Sequence, residues 1–152
     1  MKKVYARPSG IFEGAVTGFC PGCMHSSVSK LICEVLDELK AVDNACYVQG
    51  VGCCGLAITY FDFDTISSPH GRACAVASAL KRCSPETLVF TYQGDGDLAA
   101  IGLAETMSAA NRGENFSVVF VNNGTYGMTG GQLAPTTLIG AKTTTSDRKS
   151  VV

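Results

Sequence analysis

The feature that most constrains this chain is a glycine-rich turn set between an apolar run and a helical pattern. Thr87 to Tyr92 reads as a strand, Gln93-Gly94-Asp95-Gly96-Asp97 follows, and Leu98 to Arg112 reads as a helix. Gly94, Gly96 and Ala99 satisfy the G-x-G-x-x-G/A pattern of a dinucleotide turn. Two details argue against a dinucleotide. Asp95 places a carboxylate between the glycines, where it repels a pyrophosphate unless a cation stands between them. The next strand, Ser117 to Val121, ends in Asn122-Asn123 rather than in the ribose-binding acid expected about 20 residues beyond the glycines. A magnesium ion resolves the conflict, because Mg²⁺ takes a few protein oxygens together with substrate phosphates. Asp95, the amide oxygen of Asn123 and one backbone carbonyl would suffice. The glycines let the backbone approach a diphosphate, and the helix start at Asp97-Leu98 offers N–H groups to it.

Twenty-five residues separate Gly96 from Asn122, enough for one helix and one strand, so Asn123 returns to the sheet edge that carries Asp95. A Gly-Asp-Gly followed at this distance by Asn-Asn resembles the thiamine-diphosphate signature. The other reading of the segment is a tight strand-to-helix turn with a polar cap.

The rest of the chain continues the alternation. Val28, Leu31, Ile32, Val35, Leu36 and Leu39 repeat at helical spacing and predict a helix over His25 to Lys40, with Ser26 or Ser27 available as N-cap. Cys46 to Val51 reads as a strand, Arg72 to Arg82 as a helix of small residues, and Ser117 to Val121 as a strand apolar enough to be buried on both faces. The expected fold is therefore α/β, a parallel sheet with flanking helices. Residues 1 to 19, with Pro8, Gly10, Gly14 and Gly18, form an irregular arm ahead of a domain running from residue 20 to 146.

With 12 basic and 13 acidic side chains the net charge is −1, which gives no electrostatic case for nucleic acid or a membrane surface. No apolar run reaches the ~18 residues of a membrane span. The N-terminus, with Lys2, Lys3, Arg7 and Pro8, lacks the apolar core of a signal peptide, so the expected location is cytoplasmic.

Eight cysteines are then the anomaly. Cys20-Pro21-Gly22-Cys23 can bring two thiolates onto one centre, and by itself it supports zinc, iron–sulfur or redox chemistry. A third thiolate could come from Cys53 or Cys54, in the glycine turn Gly50-Val51-Gly52-Cys53-Cys54-Gly55 after the first strand. Cys33, Cys46, Cys74 and Cys83 fall within helix or strand patterns and read as small buried hydrophobes. His70-Gly71-Arg72 opens a helix and reads equally as an anion contact or a surface cap. His25 reads as a helix-start residue rather than a ligand, and Glu105 and Glu114 as solvated.

Together, Cys20-Pro21-Gly22-Cys23, Val51-Gly52-Cys53, His70-Gly71-Arg72-Ala73, the run Phe90 to Gly102 and the run Val121 to Gln132 resemble the thiamine-diphosphate-binding (beta) subunit of 2-oxoacid:ferredoxin oxidoreductases. Ala134-Pro135-Thr136-Thr137 after them brings the likeness nearest to the 2-oxoisovalerate and 2-oxoglutarate enzymes. The resemblance implies a thiamine-diphosphate-binding fold and CoA-dependent oxidative decarboxylation of a 2-oxo acid, with electrons passed through a [4Fe-4S] cluster to ferredoxin. It implies that Asp95, Asn123 and the carbonyl of Thr125 hold Mg²⁺, and that Val51, Gly52, Cys53, Cys54, His70, Gly96, Asp97, Gly127 and Met128 line the cofactor. Cys20, Cys23 and Cys53 would bind the cluster. Met24 and Cys54 depart from the common glycine and serine of that family. The partner alpha subunit, which carries the pyrimidine domain, would bring the activating glutamate, so no residue here is assigned as general base.

The family's fourth cluster cysteine lies beyond residue 152, and the sheet is expected to be incomplete at its C-terminal side. The chain is thus expected to be an N-terminal fragment, inactive alone. Its tail, residues 147 to 152, leaves the family pattern abruptly, and the codons GAT-CGG-AAG-AGC-GTC-GTG that would encode it match a sequencing-library adapter, so it is expected to be non-native. Two other functions fit part of the pattern: a non-redox thiamine-diphosphate decarboxylase or synthase component, and an inactive metal-binding fragment.

Overall fold

A computed structural model describes residues 6–146; the tail at 147–152, expected above to be non-native, lies outside them. Four strands form one parallel sheet in the order β2-β1-β3-β4, with β1 at Ala45–Gln49, β2 at Asp64–Ser67, β3 at Leu88–Gly94 and β4 at Ser117–Val121. Helix α1 (Met24–Glu38) precedes β1, α2 (Ala73–Cys83) joins β2 to β3, and α3 (Leu103–Asn111) joins β3 to β4. A short hairpin of Thr125–Tyr126 and Gln132–Leu133 follows.

Alternation along the strands sorts side chains to two faces. Tyr47, Phe90 and Tyr92 point to one face and pack with Phe61, Leu36, Cys33 and Ile11. Tyr47 stacks on Phe90 with ring centroids 5.6 Å apart and meets Phe61 edge-on at 5.4 Å. Val48 and Val89 point to the other face, where Ala73 and Ala77 let α2 lie close against the sheet. The arm is part of this core: Ile11 is buried and bridges to Phe61 across an antiparallel pair.

The chain leaves β1 for β2 on one side of the sheet and β3 for β4 on the other. The order reverses between β1 and β3, so the turns at their carboxyl ends diverge and open a crevice there, the usual ligand position of an open α/β sheet.

Several sequence expectations need correction. Helix α1 starts at Met24, with Cys23 at its N-cap and no side-chain cap bond, so neither Ser26 nor Ser27 caps it. The helix expected from Leu98 is two pieces, a wide π-type turn over Gly96–Ile101 and α3, because Gly102 packs against Gly71: a Cβ on Gly102 would lie 2.6 Å from the Gly71 carbonyl oxygen. β4 is an edge strand with Val118 and Phe120 exposed rather than a strand buried on both faces. Cys33, Cys46 and Cys74 are buried, but Cys83 is exposed. Glu105 pairs with Arg72 at 3.1 Å, and Glu114 pairs with Arg82 and Arg112 at 2.6 and 2.7 Å, so neither is merely solvated.

Candidate functional site

The crevice at the strand ends is a cavity of about 130 Å³. Its walls hold every residue assigned above to the cofactor, namely Val51, Gly52, Cys53, Cys54, His70, Gly96, Asp97, Gly127 and Met128, together with Asp95, Asn123 and Thr125. Val51 to Cys54 come from the end of β1, Asp95 to Asp97 from the end of β3, and Asn123 to Met128 from the end of β4. The register that pairs Gln49 with Tyr92 and Gly94 with Val121 levels these ends.

Asp95 caps the wide turn and is 2% exposed. One oxygen accepts from the Gly96 N–H at 2.9 Å; the other accepts from the Gly124 N–H at 2.9 Å and from the Thr136 hydroxyl. All of these donors are neutral. A buried carboxylate held by neutral donors at the wall of a cavity is the donor that a hard cation needs. Asn123 is exposed beside it, its side-chain oxygen accepting from the Thr125 N–H at 3.2 Å. Asp95, Asn123 and a carbonyl make an all-oxygen set, so the residues fit Mg²⁺.

The backbone is as specific as the side chains. A Cβ on Gly96 would lie 2.1 Å from the Tyr126 ring, whose hydroxyl donates to the Gly96 carbonyl at 3.3 Å. Gly52 has φ +127°, a conformation that any other residue enters under strain. Gly71 has φ +77° and turns the chain so that His70 faces the cavity.

The paired cysteines separate cleanly. Cys54 is buried, and burial with Asp97 nearby pushes its thiol up to about 12. Cys53 is half-buried; burial raises its thiol, and the neighbouring Cys23 and Cys20 raise it further. Cys53 is therefore the member of the pair that stands with the C-x-x-C turn, where the Cys23 N–H donates to the Cys20 carbonyl at 3.0 Å. Among the described residues, no three His, Cys, Asp or Glu side chains are placed to hold a single metal ion.

Sequence reasoning placed His25 outside the site. It lines the cavity, its Nδ1 hydrogen-bonds to the Tyr92 hydroxyl, and its ring stacks on Phe19 at 5.2 Å. Burial lowers its affinity for a proton. The signal that could have found it is the period of α1: His25 lies one, two and three turns before Ser29, Cys33 and Leu36 on the buried face. Among the described residues no lysine or arginine lines the cavity, and no helix is long and apolar enough to cross a membrane.

Comparison with known proteins agrees with this architecture. Residues 50–151 match the family model of the thiamine pyrophosphate enzymes' C-terminal TPP-binding domain. The chain is 48% identical over 153 residues to the ketoisovalerate oxidoreductase subunit VorA of Methanothermobacter thermautotrophicus, a match covering 95% of this chain and 32% of that protein. It is 42% identical over 130 residues to the 2-oxoglutarate synthase subunit KorB of Archaeoglobus fulgidus, covering 86% of this chain and 49% of that one. The 2-oxoglutarate:ferredoxin oxidoreductase of Magnetococcus marinus, solved with 2-oxoglutarate, coenzyme A and succinyl-CoA bound, superposes with a TM-score of 0.85 at 29% identity, over 95% of this chain and 50% of that chain. The chain thus spans a third to a half of the length of these relatives. It belongs to the thiamine pyrophosphate enzyme family, as a TPP-binding domain of the kind found in the beta subunits of 2-oxoacid:ferredoxin oxidoreductases.

Proposed function

We propose that this chain supplies the thiamine-diphosphate and Mg²⁺ side of a cytoplasmic 2-oxoacid:ferredoxin oxidoreductase, with a 2-oxo acid and coenzyme A as substrates. The observation that carries this reading is the single crevice in which three strand ends bring a buried carboxylate, an amide and a glycine-lined backbone together with the Cys53 thiol, which has Cys23 and Cys20 as neighbours. Asp95, Asn123 and the Thr125 carbonyl would hold Mg²⁺ against the diphosphate. The backbone of Val51 to Cys54, with Gly96, Gly127 and Met128, would line the rest of the cofactor. Cys20, Cys23 and Cys53 would hold a [4Fe-4S] cluster, which would supply the electron transfer to ferredoxin. When bound, thiamine diphosphate supplies the electron sink that lets the 2-oxo acid lose carbon dioxide.

At about 130 Å³ the cavity is smaller than the 300 Å³ or more of an ordinary small-molecule site, which supports a site completed by the alpha subunit. That partner would bring the activating glutamate. The likeness to VorA favours 2-oxoisovalerate over 2-oxoglutarate as substrate.

Anaerobic co-expression with the alpha subunit tests the reading: the complex should contain iron and sulfide, bind thiamine diphosphate only with Mg²⁺, and reduce ferredoxin when given 2-oxo acid and coenzyme A. Thiamine diphosphate bound without iron would favour the non-redox decarboxylase or synthase component. Metal bound without thiamine diphosphate would favour the metal-binding fragment.

A further inference from the structure

The two oxygens of Asp95 are not used alike. Oδ1 accepts one bond, from the Gly96 N–H at 2.9 Å. Oδ2 accepts two, from the Gly124 N–H at 2.9 Å and from the Thr136 hydroxyl. A carboxylate oxygen offers about two acceptor positions, so among the described residues Oδ2 is filled and Oδ1 keeps one position open.

Thr136 reaches Asp95 from behind the site. It does not line the crevice but a second cavity, which shares Asn123 and Thr125 with the crevice as a common wall. A four-residue turn sets its place. The Thr137 N–H donates to the Ala134 carbonyl at 3.1 Å, closing the turn over Pro135, whose ring presets the bend, and Ala134 is buried. The Thr137 hydroxyl accepts from the Ala134 N–H at 2.9 Å and donates to the Gly124 carbonyl at 2.6 Å. Gly124, at φ +73°, thus has its N–H tied to Asp95 and its carbonyl tied to Thr137. Two neighbouring hydroxyls clasp the carboxylate to the loop that carries Asn123 and Thr125.

How many oxygens a carboxylate gives is a lever on which ion it holds. Ca²⁺ takes about six to eight oxygens in flexible geometry and accepts one or both oxygens of a carboxylate, whereas Mg²⁺ demands a near-ideal octahedron. A carboxylate that gives both oxygens to one ion subtends too narrow an angle for that octahedron.

We propose that Thr136 is a positioning residue that ties Oδ2 of Asp95 into the frame, so that Oδ1 alone meets the cation and the site is biased towards Mg²⁺ over Ca²⁺. This rests on the reading of the crevice as a site for Mg²⁺ and thiamine diphosphate. Removing the Thr136 hydroxyl frees an acceptor position on Oδ2 and loosens the carboxylate. Mg²⁺ then loses an oriented single donor, and Ca²⁺ gains access to both oxygens.

The test uses the complex with the alpha subunit, assembled anaerobically and stripped of divalent ions, and reads retention of thiamine diphosphate without turnover. Mg²⁺ or Ca²⁺ is titrated at fixed thiamine diphosphate, and the ratio of the two half-saturating concentrations gives the preference. Thr136→Val should raise the Mg²⁺ requirement about tenfold, the scale of losing an outer-shell partner, and leave the Ca²⁺ requirement nearly unchanged. Thr136→Ser, which keeps the hydroxyl, should restore the native ratio. Equal losses for both ions would mark a contact that only supports the fold and would overturn the proposal. So would a Thr136→Ser complex that behaves like Thr136→Val. If Thr136→Val does not assemble, Thr136→Ala, which also lacks the hydroxyl, decides by the same two titrations. A native complex that retains thiamine diphosphate without any divalent ion would overturn the reading of the site and the proposal together. Native dependence on Mg²⁺ with an unchanged Mg²⁺ requirement in Thr136→Val would overturn the proposal alone.

Discussion

The ends of β1 and β3 use one backbone device for two kinds of chemistry. Each strand runs into a glycine-rich turn and then a short helical turn, Gly50 to Thr59 after β1 and Gly94 to Ile101 after β3. The β1 end sets a half-buried thiol beside the C-x-x-C turn, a soft donor that suits iron and sulfur. The β3 end sets two buried carboxylates, hard donors or hydrogen-bond acceptors that suit Mg²⁺ and imidazole. In both turns adjacent or alternate residues face opposite ways: Cys53 towards Cys20 and Cys23 with Cys54 into the core, Asp95 towards Gly124 with Asp97 towards His70. A turn of this kind doubles the information in a pair of like residues, one member serving the ligand and the other the frame.

The largest effect should come from breaking that division at β1. Cys53→Ala should abolish cluster incorporation, measured as iron and sulfide per complex, whereas Cys54→Ala should keep the cluster and lose only stability. Equal iron loss in both variants would erase the distinction. Next, both ends rest on the Tyr47–Phe90 stack between their strands. Phe90→Ala should destabilise the chain by about 3–5 kcal/mol, read from denaturant melts of the complex, and weaken cofactor and cluster retention together. At β3, Gly96→Ala forces the Tyr126 ring to move, and thiamine diphosphate affinity should fall about tenfold or more, since displacement of roughly an ångström misplaces a site. The smallest effect lies away from both ends. The Arg112 and Arg82 hydrogen bonds hold the Glu114 carboxyl below the usual carboxylate range. A depressed folded-state value stabilises the fold above the ordinary range and is lost as pH falls through it. Glu114→Gln should therefore lower Tm slightly near neutral pH, and the difference should vanish well below about pH 4.

These contrasts also explain which parts were legible in the sequence. The carboxylate pair and Asn123 were legible because spacing fixes them: a parallel sheet returns each strand end to one edge, so type and distance along the chain suffice. Helix α1 was legible from its period, but not its cap, because Cys23 takes that place through the turn that serves the thiols. β2 was missed because Asp64–Ser67 is a four-residue edge strand with little burial, and it carries no apolar alternation for the eye to catch. The break at Gly102 was missed because it depends on a contact with Gly71, thirty-one residues earlier in the chain. Asp97 was placed among cofactor contacts by motif, and only its partners His70, Gly71 and Gln93 show the different use of its oxygens.

The central claim is that Asp95 brings a metal-bridged diphosphate to this crevice. Its direct measure is the dissociation constant of thiamine diphosphate for the assembled complex, titrated with and without Mg²⁺, in the native protein and in Asp95→Ala. Native binding should depend on Mg²⁺, and Asp95→Ala should lose that dependence along with about a hundredfold or more of the affinity, the scale of losing a charged metal ligand. An Asp95→Ala complex that binds thiamine diphosphate with native affinity and native Mg²⁺ dependence would contradict the claim.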